Sequence, residues 1–133
     1  MSFDKQKAES SKKSLQSADL RNAELQEADL SDGVLIDADL ENSDLSEADL
    51  CGADLSGANL LNARLHRTVL YRCRATKTNF SNTILTQANL VEANCSSANF
   101  NKANLKESNI EGANLTYTCL LYTSPSPRDL STS

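Results

Sequence analysis

The chain has 133 residues, room for one domain but not comfortably for two. Hydrophobic residues make up 39% and aromatics 5%, so a core must be assembled from many small aliphatic groups instead of a few rings. Four cysteines with neither CxxC spacing nor a Cys/His cluster argue against a zinc site and a disulfide framework, and the net charge of −5 conceals a strong asymmetry along the chain.

No apolar run approaches the roughly 20 residues of a membrane helix, and the N-terminus lacks the apolar stretch of a signal peptide. The expectation is a cytoplasmic protein with reduced thiols and no membrane association. Residues 1–16 (MSFDKQKAESSKKSLQ) are polar and hold four lysines. They are read as an N-terminal cap, in the form of a short helix packed over the start of the domain, or as a disordered basic tail.

Residues 17–118 carry a repeat of five. A large apolar residue falls on every multiple of five from Leu20 to Leu115 without an insertion. Leucine fills most of these positions; Ala75, Phe80, Cys95, Phe100 and Ile110 are the exceptions. With that position called i, position i−2 is alanine or another small residue throughout. Position i−1 is mostly Asp, Glu or Asn, and i+1 and i+2 are mostly polar.

In extended backbone i−2 and i point to one side and i−1 to the other. An α-helix is excluded, because five residues advance about 500° and would spread the leucines around it. A flat sheet is excluded because an odd period alternates faces. A solenoid that turns a corner every five residues satisfies the pattern, its coils stacked at about 4.7–4.9 Å.

The run ADLCGADLSGANL, residues 48–60, resembles the A(D/N)LXX motif of the pentapeptide repeat family. The resemblance implies an all-β fold, a right-handed quadrilateral β-helix with four repeats per coil. Residues 17–118 would then form about five coils, a rod about 24 Å long. A coil of twenty residues stacks Phe80 on Phe100 and Ala75 on Cys95. The bulkiest core residues then share one corner and the smallest share the preceding one, as close packing requires.

Chemistry-bearing residues are sparse. Cys73 and Cys95 point inward, about 8 Å apart between Cα atoms, too far for a disulfide, and read as core residues. Cys51 and His66 point outward without a ligand set around them. No phosphate-binding glycine loop and no nucleophile–base pair stands out, so the chain is not expected to be an enzyme, and no catalytic residue, cofactor or metal is assigned.

Charge supplies the candidate sites. Residues 18–60 hold twelve acids and one base. Asp19, Glu24, Glu27, Asp29, Asp39, Asp44, Glu47 and Asp49 form a possible acidic interaction face. Residues 61–80 hold five bases and no acid, a possible basic band of Arg64, Arg67, Arg72, Arg74 and Lys77. The twenty-residue register sets Arg64, Arg67 and Arg74 over Asp44, Glu47 and Asp54, and Arg72 under Glu92. Such ladder pairing argues against direct nucleic-acid binding by the band.

The expected function is a non-enzymatic scaffold or protein-interaction module, with a protein partner and with homodimers by end-to-end or face packing as an option. The resemblance supplies an alternative: family members of the quinolone-resistance type mimic B-DNA and bind DNA gyrase. Residues 119–133 break the motif and bring both prolines. They are read as a non-native, adapter-derived tail, and the chain as a fragment of a longer protein.

Overall fold

A five-residue period needs a sharp corner once per repeat, and the corner dictates the backbone. The computed structural model describes residues 4–120, and within the repeats every i+2 residue lies in the left-handed region. Examples are Asn22 at φ 62°, Arg67 at 58°, Lys102 at 63° and Gly52 at 70°. The N–H three residues past each core position closes the turn on its carbonyl, as Ala63 N does on Leu60 O at 2.9 Å. A positive φ at the third residue of such a turn is the signature of type II. Asn tolerates that conformation, whereas Arg, Lys and Gln hold it at a cost of about 1–2 kcal/mol each.

Where i−1 is Asp or Asn, the remaining backbone donors of the repeat are all accounted for, which explains the motif letter by letter. In residues 58–62, Asn59 N reaches back to Ala38 O at 2.9 Å, Leu60 N forward to Asn79 O at 2.8 Å and Asn62 N forward to Ser81 O at 3.0 Å. Leu61 N takes the side-chain oxygen of Asn59 at 3.1 Å. The Asp or Asn at i−1 is therefore the local acceptor for the i+1 N–H. Cys51 N on Asp49 (2.9 Å), Ser56 N on Asp54 (3.0 Å) and Asn101 N on Asn99 (2.8 Å) repeat the arrangement.

Successive coils are joined by parallel bridges that always span twenty residues. Asp19 pairs with Asp39, Asp39 with Asn59, Asn59 with Asn79 and Asn79 with Asn99, and three further columns start at Glu24, Asp29 and Val34. Each repeat gives one bridged residue instead of a continuous strand, because the turn at i+1 and i+2 interrupts the ladder. The columns define four faces, numbered here in chain order from the one that begins at Asp19.

Inside, the i−2 and i side chains from Leu15 to Ile110 form one aliphatic cluster, almost all at 0–4% exposure. Phe80 and Phe100 stack with ring centroids 4.8 Å apart and planes 7° from parallel. They fill the volume beside the small Ala75 and Cys95, both fully buried. Thr68 and Thr78, also buried, satisfy their hydroxyls on Leu45 O and Leu55 O, each at 2.7 Å. Ser43 Oγ is buried with no hydrogen-bond partner among the described residues.

The N-terminal segment is a helical cap. Helix α1 spans Lys5–Ser10, with Asp4 as its N-cap accepting from Lys7 N at 2.8 Å, and a 3-10 turn follows at Lys12–Ser14. Ala8 and Leu15, both at 0% exposure, keep the repeat's register and seal the core. The cap also answers the open edge of the first coil. Glu9 Oε2 accepts from Asp29 N at 2.8 Å, and Lys12 O accepts from Val34 N at 2.7 Å. The glycine at position 33 lets the cap settle: a Cβ there would lie 2.8 Å from Leu30 O and 3.2 Å from Lys12 O.

The ladder does not stop at Thr118. Phe100 N bonds Cys119 O at 2.7 Å, and Cys119 N bonds Ala98 O at 3.1 Å. Leu120 packs partly buried against the core. The repeat therefore continues past the boundary expected at 118–119, because TYTCL (residues 116–120) still sets a small residue at i−2 and leucine at i. The expectation of a non-native tail from residue 121 onward lies outside the described residues.

Candidate interaction surface

Consecutive i−1 residues sit on consecutive faces, so a run of acids in sequence becomes a collar. Asp19 and Asp39 lie on the first face, Glu24 and Asp44 on the second, and Asp29 and Asp49 on the third. Glu27 and Glu47 occupy the corner between the second and third, both with positive φ. The eight acids thus wrap three sides instead of forming one face, because each coil divides its four repeats among four directions. Arg64, Arg67, Arg72, Arg74 and Lys77 likewise make a girdle, with Arg64 on the second face, Arg74 on the fourth, and the other three at corners.

Part of this charge is spent internally. Arg64 lies 4.0 Å from Asp44, Arg67 lies 3.8 Å from Glu47 and Arg72 lies 2.7 Å from Glu92. Arg72 also lies over the Tyr71 ring, 5.3 Å from its centroid. Arg74 stands over Asp54 in the backbone ladder, yet no ion pair joins them, and among the described residues Lys77 has none either. Arg21 forks onto Asp19 at 2.8 and 2.9 Å and approaches Asp39 at 3.8 Å. It relieves the stacked like charges of the first face. Lys12 of the cap meets Asp29 at 3.3 Å.

These contacts set the titration of the collar. The Arg21 side chain holds the Asp19 carboxyl far below the usual carboxylate range. The Ser31 hydroxyl and N–H, with Lys12, lower Asp29. Partial burial pushes Asp44 upward, but the hydrogen bonds from Ser46 and the charge of Arg64 outweigh it and the net shift is down. On the first face the columns carry an amide ladder, with Asn59 donating to Asp39 and Asn79 to Asn59, both at 3.2 Å.

The other singled-out residues are structural. Cys73 and Cys95 lie in the core, and burial pushes the Cys95 thiol up to about 12 and raises Cys73 well above its ordinary value. Cys51 is half-buried on the outside, its thiol raised by burial and by Asp49 and Asp32. His66 Nδ1 lies 2.6 Å from Thr86 Oγ1, one coil on. The positive φ at every i+2 is not evident from the sequence, since Lys, Arg and Gln at those positions disguise it. The recurrence of Asn22, Asn42, Asn62 and Asn82 down one corner is the signal that marks it.

No helix among the described residues is long and apolar enough to cross a membrane. The sequence comparison with curated proteins finds no match. Among solved structures, a pentapeptide repeat protein from the thylakoid lumen of Arabidopsis thaliana is 34% identical, with a TM-score of 0.68 over 70% of this chain and 65% of that one. The pentapeptide repeat protein Rfr23 from the cyanobacterium Cyanothece 51142 is 27% identical, with a TM-score of 0.45 over 76% and 63% of the two chains. This chain therefore spans less than two thirds of the length of either. QnrB1, a plasmid-mediated fluoroquinolone resistance protein, is 18% identical with a TM-score of 0.40 over 80% and 73%, too distant to bear on partners. The family model of pentapeptide repeats matches eight copies, over residues 14–50, 34–70, 48–87 and 88–120. The chain belongs to the pentapeptide repeat family.

Proposed function

We propose that this chain is a non-enzymatic scaffold, a right-handed quadrilateral β-helix of about five coils that holds a protein partner on its outer columns. The observation that carries the reading is the fate of the polar groups. One oxygen of most i−1 Asx side chains is committed to a backbone N–H, as in Asp49 to Cys51 and Asp54 to Ser56, and the other faces outward. The interior is closed by aliphatic side chains. What remains for function is a rigid array of outward i−1, i+1 and i+2 side chains, zoned along the rod into an acidic collar, a basic girdle and amide-rich coils.

Acids outside the internal ion pairs, Glu24, Glu27, Asp32 and Asp49 among them, are the contacts expected for a basic partner. Affinity capture tests the reading, with the wild type set against the variant carrying Glu24→Gln, Glu27→Gln, Asp32→Asn and Asp49→Asn. A partner retained by the first and lost by the second supports it. Partners retained equally by both, or none in stoichiometric amount, overturn it.

The excess of acid over residues 18–60 also favours a second reading, mimicry of duplex DNA toward gyrase or another topoisomerase. Supercoiling by gyrase that is inhibited by the protein, with an effect that fades as salt rises, would select this reading. Supercoiling unaffected by excess protein would remove it.

A further inference from the structure

The fourth face carries one repeat in which the motif's local acceptor is missing and only donors take its place. Three of the five i+1 donors of this face, Ser56 N, Ser96 N and Thr116 N, each bond the Asx oxygen two residues before them, on Asp54 (3.0 Å), Asn94 (3.2 Å) and Asn114 (3.0 Å), whereas the apolar Val34 offers Ile36 N neither an acceptor nor a charge. Between Asp54 and Asn94 the column holds Arg74, which has no acceptor to offer. The Thr76 N–H, directed outward where an Asx side chain meets its counterparts, has no acceptor among the described residues.

The surroundings add donors. Asn94 commits its oxygen to Ser96 N, which leaves its NH2 group above Arg74. On the first face the equivalent amides donate down the ladder to Asp39 and Asn59, but a guanidinium cannot accept. Arg74 and Lys77 are exposed and, unlike Arg64, Arg67 and Arg72, form no ion pair among the described residues. Arg64 also replaces an Asx, but it is paired with Asp44 and lies under the apolar Ile84.

We infer that Arg74, Thr76 N–H, Lys77 and the Asn94 amide form a docking site for a single oxyanion, the phosphate monoester of a phosphorylated partner side chain. One phosphate oxygen takes the Thr76 N–H in place of the absent Asx oxygen. The guanidinium fork and the Lys77 ammonium carry the charge, and Asn94 donates from above. A long polyanion does not fit. One coil below, Asp54 lies under Arg74 and the Asp37 carboxylate leans over Gly57, under Lys77, so the next phosphates of a nucleic-acid backbone would meet carboxylates.

This inference rests on the interaction-module reading but fails separately from it, because capture of a partner by the acidic collar does not involve these residues. The test is a 1H–15N NMR titration of the full chain with inorganic phosphate and with O-phosphoserine at constant ionic strength, followed by competition with duplex DNA. Saturable shifts are expected at the Thr76 amide and the Arg74 Nε–H. Arg74→Asn restores the motif's own acceptor, so affinity should fall at least about tenfold while the unfolding midpoint does not drop. Equal, non-saturating shifts at Lys102 and Lys106, or unchanged binding by Arg74→Asn, overturn the site. Duplex DNA that displaces phosphoserine and shifts the same amides overturns the assignment to a phosphorylated side chain.

Discussion

Phe80 and Ala75 occupy successive core positions of one coil, and Phe100 and Cys95 repeat the arrangement one coil on. If their volumes compensate, Ala75→Leu and Phe80→Leu are each destabilising alone and together cost less than their sum. Ala75→Leu inserts a branched side chain into a site at 0% exposure, an overpacking that costs about 1–3 kcal/mol. Phe80→Leu forfeits the stack on Phe100, worth about 0.5–1.5 kcal/mol, and leaves a void of about 25 Å³, roughly another 0.6 kcal/mol at 24 cal/mol per Å³. Independent effects would sum to about 2–5 kcal/mol. The void of the second change takes up about a third of the volume added by the first, so the double variant keeps most of the overpacking and the coupling is about 0.5–1.5 kcal/mol in favour of the pair. Urea unfolding of the four proteins, followed by far-UV circular dichroism with m-values compared, measures it. Costs that add to within about 0.5 kcal/mol would refute volume compensation between these corners.

Ser43→Ala removes a buried hydroxyl that has no hydrogen-bond partner among the described residues and should stabilise the chain by about 1 kcal/mol, seen as a higher unfolding midpoint. Lys102→Gly relieves a left-handed residue at φ 63°. The relief of about 1–2 kcal/mol exceeds glycine's entropic cost of about 0.5–1 kcal/mol, so the melting temperature should rise. The carboxyls of Asp19, Asp29 and Asp44 are all held low in the folded chain. Depressed groups contribute stability above their unfolded pKa of about 3.9 and lose it as pH falls through the folded values. Thermal melts between pH 7 and pH 2 should therefore be flat down to about pH 4 and fall below it. The protection of the Asp29 and Val34 amides, which hold the cap, should fall over the same window once exchange is corrected for its intrinsic pH dependence.

Inside and outside were legible in the five-residue period. The small i−2 and large i residues flank a polar i−1, and two-residue alternation in extended backbone leaves no other arrangement. The stacking of Phe80 on Phe100 followed from the twenty-residue coil, because it depends only on register. The helical cap was only half legible. Ala8 and Leu15 stand in register, but Glu9 substituting for a rung and Lys12 O reaching Val34 N depend on how a helix lies across the end of a solenoid.

Local pattern therefore determined the repeat, the core and the family. Which charges meet was decided only when the coils stacked. Eight acids in a run became a collar on three sides, since each repeat turns the chain a quarter of the way round. Arg72 found Glu92 at 2.7 Å, while Arg74, placed over Asp54 by the same register, found no ion-pair partner among the described residues. The reason is physical: the alternation of side chains is a property of five neighbouring residues, whereas the reach of a long side chain is settled by groups twenty residues away, brought within one coil spacing.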